Sequence, residues 1–242
     1  MPPQPPAGAG KVFLIGGGPG AADLVTLRGA RAIAKSDVVI WGRPLVTEEL
    51  VLEHSHPDAE IIAWPPATMA ELESAYDRAA AAGLTVARLH GGDPAVYARL
   101  AEELDRVRSR GLEVEIIPGV TAACAAAAAL GWELTSEADR LPVVLASGPA
   151  QDGAIAPAIA SAAFGGHALA LYMIRDSGPD LQRALLDGGY PPSTPCAIGH
   201  RVSWPRERLD RCSLAQLAEL LEELGGEGQT VVLVAATGES SR

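Results

Sequence analysis

The segment KVFLIGGGPGAADLVTLRGARAIAKSDVVIW, residues 11–41, sets the class of fold. It reads as an apolar strand, a glycine-rich turn, a helical stretch and a second apolar strand. Strands that alternate with helices are typical of an α/β protein with a largely parallel sheet. Glycine turns at the ends of such strands let the backbone approach a nucleotide closely. The segment therefore predicts an α/β nucleotide-binding fold.

The same alternation continues along the rest of the chain. Five strand-like runs precede Gly119 and about four follow Leu141, with the small-residue helix TAACAAAAALG, residues 121–131, between the two sets. We therefore predict two α/β domains of mostly parallel sheet, over residues 11–122 and 123–242. The proline-rich start, residues 1–10, is predicted to be a disordered tail.

Two helix starts can be read from local patterns. Thr68 and Glu71 form a T-x-x-E capping box, which predicts a helix that begins there. Asp93 followed by Pro94 is typical of an N-cap and a first helical residue, and Gly111 is suited to end that helix.

Composition narrows the class of protein. The 242 residues carry a net charge of −11 and include no basic stripe, which disfavours nucleic acid as a partner. No apolar run reaches the roughly 20 residues that span a bilayer, and the first residues lack the features of a signal peptide. Cys124, Cys196 and Cys212 are widely spaced, so we expect neither disulfides nor a metal site. We expect a cytoplasmic protein with no membrane partner.

The first glycine turn satisfies the loose dinucleotide pattern G-x-G-x-x-A over residues 16–21. The second strand, however, runs into Gly42 and Arg43 where a nicotinamide site needs an acidic residue, and Pro19 removes one backbone donor. Arg43 is suited to the 2′-phosphate of NADP, so an NADP oxidoreductase stays open. A turn that serves packing alone also stays open.

Two further strand–glycine–helix junctions follow. They are RLHGGDPAVYARL, residues 88–100, and EIIPGVTAACAAAAALG, residues 115–131. Asp93 is suited either to capping a helix or to contacting a ligand, and the same holds for the Thr121 hydroxyl. The three junctions follow parallel strands, so we expect them to meet at the edge where open α/β sheets bind ligands.

These motifs, in this order and together with ALYMI at residues 170–174, resemble the tetrapyrrole methylases. These are S-adenosylmethionine-dependent methyltransferases of cobalamin and sirohaem synthesis, and the resemblance runs from about Lys11 to Ala235. The segment containing Ser-Trp-Pro, residues 203–205, is most like a branch that acts on a corrin precursor. The uroporphyrinogen III branch usually has Asp-Arg-Leu-Val after its second strand, whereas residues 42–46 read Gly-Arg-Pro-Leu-Val. The corrin branch typically has arginines after the strand PVVLAS, and residues 148–166 have none.

The resemblance implies two α/β domains with S-adenosylmethionine in the cleft between them, normally in a homodimer. It places cofactor contacts, many of them to the main chain, at Pro19, Gly91, Gly92, Asp93, Val96, Thr121, Ala122, Met173, Val202 and Thr230. Spacing alone would make Met173 a core residue.

A tetrapyrrole substrate with many carboxylates should meet cationic groups, for which Arg43 and Arg201 are our candidates. Tyr97 is suited to stack on a macrocycle, although packing in the core is the commoner fate of such a residue. The methyl group of a sulfonium is already activated, so the reaction depends on positioning and we assign no catalytic side chain and no metal. A paralogue acting on another precorrin or a non-corrin substrate, and a non-catalytic binding protein, remain alternatives.

Overall fold

A computed structural model describes residues 10–135, 142–148, 157–174, 177–225 and 228–237. The chain divides into two compact units, Met1–Thr121 and Ala122–Arg242, so that the division falls one residue before the predicted one. The predicted disordered tail, apart from Gly10, lies outside the described residues. No helix in the described part of the chain combines the length and the apolar character that a membrane span requires.

In its described residues, 10–121, the first unit has five strands and four α-helices. The strands are β1 (Lys11–Gly16), β2 (Val38–Gly42), β3 (Glu60–Trp64), β4 (Thr85–His90) and β5 (Glu113–Ile117), and the helices are α1 (Leu27–Ala34), α2 (Glu48–His54), α3 (Met69–Ala82) and α4 (Leu100–Arg108). All strand pairs are parallel, in the order β3-β2-β4-β1-β5. The five predicted runs of this half are confirmed.

Both faces of this sheet are apolar because side chains alternate along each strand. Phe13 and Ile15 pack in one core cluster with residues of α1 and α2. Val12 and Leu14 pack in a second cluster with residues of α3 and α4. Because the strands are parallel, the turns that follow them lie together at the carboxyl edge of the sheet.

The second unit contains a mixed sheet. Its strands are β6 (Val143–Ser147), β7 (Ala168–Tyr172), β8 (Pro195–His200), β9 (Arg208–Ser213) and β10 (Thr230–Val234), and its helices are α5 (Ala122–Leu130), α6 (Pro157–Ala163), α7 (Gly178–Asp187) and α8 (Leu217–Glu223). The order is β6-β7-β10-β8-β9. Among these strands β6 and β7 are parallel, and the other three pairs are antiparallel. The α/β class is confirmed, but mostly parallel pairing describes the first sheet and not the second.

One strand of the second sheet is absent from the prediction. Strand β9 has the sequence RLDRCS, and it pairs with β8 at the end of the sheet. An edge strand with one face in solvent carries charged residues, so it lacks the continuous apolar run by which the other strands are recognised.

The two predicted helix starts have different outcomes. The capping box is confirmed, because the Thr68 hydroxyl accepts from Glu71 N at 3.3 Å and the Glu71 carboxylate accepts from Thr68 N at 2.6 Å. The helix predicted to begin at Asp93 is wrong, since α4 begins at Leu100. Residues 93–99 form turns instead, and the Asp93 carboxylate has other partners.

Candidate functional site

The first two glycine turns are joined to each other through their backbones at the carboxyl edge of the first sheet. Strand β1 lies between β4 and β5, which places the turn after each strand beside its neighbour. Gly17 N donates to His90 O at 2.8 Å. Gly92 N donates to Gly18 O at 2.7 Å, and Gly18 N returns a bond to Gly92 O at 3.2 Å. The turns therefore form one continuous backbone surface.

The third turn packs against the other two so closely that side chains are excluded. A Cβ atom added to Gly16 would lie 2.5 Å from Gly119 N and 2.6 Å from Gly92 O. Gly92 also has a φ of 65°, in the left-handed region that favours glycine. We call the three turns, residues 16–20, 91–96 and 118–121, the glycine cradle. Gly16 and Gly119 are required by the close approach of the main chains.

Asp93 ties the second and third turns of the glycine cradle together. One carboxylate oxygen, Oδ2, accepts from Gly119 N at 2.8 Å, and the other, Oδ1, accepts from Ala95 N at 2.7 Å. Val96 N donates to Asp93 O at 3.0 Å, which closes a turn in place of the predicted helix. The sequence suggested a helix cap or a ligand contact, and the structure places the side chain in a brace between loops.

The structure brings one set of the predicted cofactor residues together on the glycine cradle. These residues are Pro19, Gly91, Gly92, Asp93, Val96 and Thr121. Ala122 follows directly as the first residue of α5 and belongs to the second unit. Gly119, which had no assigned role, is the point where the third turn contacts the first.

The predicted cofactor residues of the second unit lie along one edge of its sheet. The pairing of Tyr172 with Val231 and of His200 with Thr230 aligns the end of β7, the end of β8 and the start of β10. Met173 follows β7, Val202 lies shortly after the end of β8, and Thr230 is the first residue of β10. The register therefore groups Met173, Val202 and Thr230 within this unit.

Met173 does not pack in the core, contrary to what its spacing suggests. It is 47% exposed and has a φ of 56°, so it lies in a turn after β7. Val202 and Thr230 are buried, and the Thr230 hydroxyl lies 2.9 Å from His200 Nδ1. The side chain of Thr230 is thus used internally.

The candidate substrate residues lie in loops. Arg43 follows β2, where its guanidinium lies 5.3 Å from the centre of the Trp41 ring and 4.0 Å from Glu48 Oε1. Tyr97 is 46% exposed in the loop after the second glycine turn, so packing in the core is not observed. Arg201 follows β8, and its Nε atom is buried with no hydrogen-bond partner in the described part of the chain.

Left-handed backbone at residues other than glycine is concentrated in these loops. Among the described residues it occurs at Tyr97, Arg99, Met173, Arg201, Ser203 and Arg206. All six follow the carboxyl ends of β4, β7 or β8. Such conformations are unfavourable for side-chain-bearing residues and cluster at functional sites. Arg175, another cation near a predicted loop end, lies outside the described residues.

The comparisons with known proteins agree with this geometry. The family model Tetrapyrrole (Corrin/Porphyrin) Methylases matches residues 11–218, and the chain belongs to this family. Within it, the chain is 36% identical over 225 residues to the precorrin-4 C(11)-methyltransferase of Mycobacterium tuberculosis, covering 92% of this chain and 89% of that protein. The resemblance read from the motifs is confirmed.

Two solved structures extend the likeness to the fold. The X-ray structure of a cobalamin biosynthetic enzyme, cobalt precorrin-4 methyltransferase CbiF, has a TM-score of 0.86 and 27% identity, covering 93% of this chain and 94% of that one. The uroporphyrin-III C-methyltransferase of Thermus thermophilus, complexed with S-adenosyl homocysteine, has a TM-score of 0.75 and 28% identity, covering 95% and 98%.

Proposed function

We propose that this chain is an S-adenosylmethionine-dependent methyltransferase that methylates C11 of precorrin-4 in cobalamin biosynthesis. The observation that carries the proposal is the glycine cradle, in which three turns of small residues present main-chain amides and carbonyls at one sheet edge. The likeness to precorrin-4 C(11)-methyltransferases over most of the chain supports the choice of substrate.

The residues of the glycine cradle fit an adenosyl amino acid ligand. Gly16, Gly92 and Gly119 carry no side chains, so the three turns pack against one another at one edge of the sheet, and Asp93 holds the turns in register. The bound cofactor supplies an activated methyl group, and the protein's contribution is to hold it about 3–3.5 Å from the attacking carbon in line with the leaving sulfur. No side chain is assigned as a base. Met173, Val202 and Thr230 are proposed as further cofactor contacts on the resemblance.

For the substrate, Arg43 and Arg201 are proposed to meet the carboxylates of the macrocycle and Tyr97 to stack on its face. Arg43 has its nearest acid at 4.0 Å in Glu48, an exposed and weak pair that a substrate carboxylate can replace. Arg201 has a buried Nε atom without a partner in the described residues, which a bound carboxylate would satisfy.

The proposal includes a homodimer in the cytoplasm, both on the resemblance to the family. Light scattering after size-exclusion chromatography tests the first: the expected mass is twice that of the chain, and a monomer over the micromolar range would contradict it. Fractionation of the source cells tests the second, with the chain expected in the cytosolic fraction.

Two experiments test the function. Titration calorimetry with S-adenosylhomocysteine and, separately, NADPH should show binding of the former alone; binding of NADPH alone would favour an oxidoreductase. Incubation with precorrin-4 and S-adenosylmethionine, followed by mass spectrometry, should show a product heavier by one CH2 unit, because a methyl group replaces a hydrogen. Unchanged precorrin-4 together with cofactor binding would point to another precorrin, uroporphyrinogen III or a non-corrin substrate.

A further inference from the structure

An unusual pair of polar side chains lies inside the first sheet, directly before the glycine cradle. Arg88 and His90 occupy alternate positions of β4, so their side chains share one face of the strand. Val86 on that face belongs to the core cluster with α3 and α4. His90 is 7% exposed and is followed immediately by Gly91. The Arg88 side chain, which is 15% exposed, therefore lies on the strand that leads directly into the second glycine turn.

Glu103 of α4 supplies the charge that balances Arg88. Its carboxylate is buried, accepts from the Tyr76 hydroxyl at 2.5 Å and from Arg106 Nη1 at 2.5 Å, and lies 3.6 Å from Arg88 Nε. Burial alone would raise the pKa of Glu103, but the hydrogen bond from Tyr76 and the charges of Arg88 and Arg106 outweigh it and hold this pKa below its usual value. Glu103 is thus ionised at neutral pH.

Glu103 is the one carboxylate of the described residues that forms an ion pair with Arg88. Its Nε and Nη1 atoms are buried and have no hydrogen-bond partner among the described residues, and the same holds for His90 Nε2. Burial, assisted by the charge of Arg88, lowers the pKa of His90 to about 4, so the imidazole is neutral. Arg106, in contrast, has a second acid in Glu73, whose Oε1 lies 2.7 Å from its Nε. Loss of Glu103 would leave Arg88 as an uncompensated cation.

Such a cation matters because the proposed cofactor is itself charged at the reacting atom. S-adenosylmethionine carries a sulfonium, whereas the product S-adenosylhomocysteine carries a neutral thioether. A unit charge about 10 Å from another, at an effective dielectric constant of 20, changes affinity by roughly tenfold. The charge of an uncompensated Arg88 would repel the sulfonium of S-adenosylmethionine. It would have little effect on the neutral sulfur of S-adenosylhomocysteine.

We propose that Glu103 is a positioning residue of the cofactor site, which acts through Arg88 and sets the preference of the site between the cationic cofactor and its neutral product. The inference rests on the proposed function. Glu103 keeps the guanidinium of Arg88, on the strand that leads to Gly91, paired with an opposite charge, so that the sulfonium meets the glycine cradle without an unbalanced cation nearby. Neither Glu103 nor Arg88 is required to touch the cofactor.

The test compares affinities for two ligands that differ in charge at sulfur. For Glu103→Gln we expect the Kd for S-adenosylmethionine to rise about three- to tenfold and the Kd for S-adenosylhomocysteine to change less than twofold. Glu73→Gln is the matched control, because it removes a carboxylate from the outer part of the same cluster and should leave the ratio of the two Kd values unchanged. Titration calorimetry measures both.

A second variant keeps the inference testable if Glu103→Gln does not fold. Arg88→Met removes the cation and leaves Glu103 its contacts with Tyr76 and Arg106, so the preference for S-adenosylmethionine over S-adenosylhomocysteine should rise. The double variant Arg88→Met/Glu103→Gln should return the ratio toward that of the wild type. Equal weakening of both ligands in Glu103→Gln, or an unchanged ratio in both single variants, would overturn the inference. A wild-type chain that binds neither ligand would instead refute the proposed function.

Discussion

Asp93 shows how a local pattern and a long-range contact compete for one side chain. Asp followed by Pro is typical of a helix start, yet the carboxylate accepts from Gly119 N, 26 residues further along the chain, and α4 begins only at Leu100. That partner comes near only after β4 and β5 have assembled on either side of β1. The position of Asp93 at the site could be predicted from the sequence, but its partner could not.

Removing the Asp93 carboxylate should therefore loosen the glycine cradle. In Asp93→Ala two backbone donors, Gly119 N and Ala95 N, lose their acceptor, so we expect the free energy of unfolding to fall by about 1–3 kcal/mol and S-adenosylhomocysteine to bind more weakly. Urea denaturation and calorimetry measure the two effects. Asp58→Ala is the control, since the Asp58 side chain is 91% exposed. Equal stability and affinity in both variants would refute the role of Asp93 as a brace.

Thr121 tests the third turn of the glycine cradle. If its hydroxyl bonds the cofactor, Thr121→Val should weaken S-adenosylhomocysteine binding by roughly 1–2 kcal/mol. Thr121→Ser retains the hydroxyl and should bind nearly as the wild type does. Calorimetry on both folded variants decides the matter, and unchanged affinity in Thr121→Val would exclude the hydroxyl as a contact.

His90 predicts a dependence of stability on pH. Its pKa is lowered to about 4 in the folded state, chiefly by burial, so the folded chain binds fewer protons than the unfolded chain between that value and about 6.5. The stability linked to His90 is present above pH 6.5 and is lost as the pH falls toward 4, by up to roughly 3 kcal/mol. Urea unfolding of the wild type and of His90→Asn across this pH range measures the loss of stability, which should be smaller in the variant. An equal loss in the two proteins would contradict the role assigned to His90.

At the scale of whole elements, the sequence predicts the strands that read as apolar runs, including the edge strands β3, β5 and β6, and misses the charged edge strand β9. Strands β1 and β2 read as continuous apolar runs and lie in a sheet covered on both faces, whereas β9, with the sequence RLDRCS, carries three charged residues at the end of a sheet. The antiparallel pairing of β8, β9 and β10 was also not foreseen, because the direction of a strand leaves little trace in its composition. The three glycine turns could be found because each follows a recognisable strand of the parallel sheet.

Helix α3 offers a test of local stability apart from the site. Thr68→Ala removes the acceptor for Glu71 N and should lower the free energy of unfolding by about 1 kcal/mol. Binding of S-adenosylhomocysteine should stay unchanged, since the capping box lies outside the glycine cradle. Thr68→Ser retains the cap and serves as the control. A loss of affinity in Thr68→Ala would show that α3 is coupled to the site.

For the molecule as a whole, function follows from where small residues are placed. The motifs share glycines and not reactive side chains. Glycines that follow or end β1, β4 and β5 bring three turns together, and Asp93 holds two of these turns in place. The ordered motifs along nearly the entire chain made the family recognisable from the sequence. The buried pairing of Arg88 with Glu103 could not be recognised, because it joins a strand to a helix through packing.

Hydrogen exchange with mass spectrometry in the presence of S-adenosylhomocysteine measures most directly whether the glycine cradle binds the cofactor. We predict slowed exchange of backbone amides in all three turns, residues 16–20, 91–96 and 118–121, with little change in α3. Binding of the ligand with no slowing at these turns, or with slowing at one turn alone, would contradict the account.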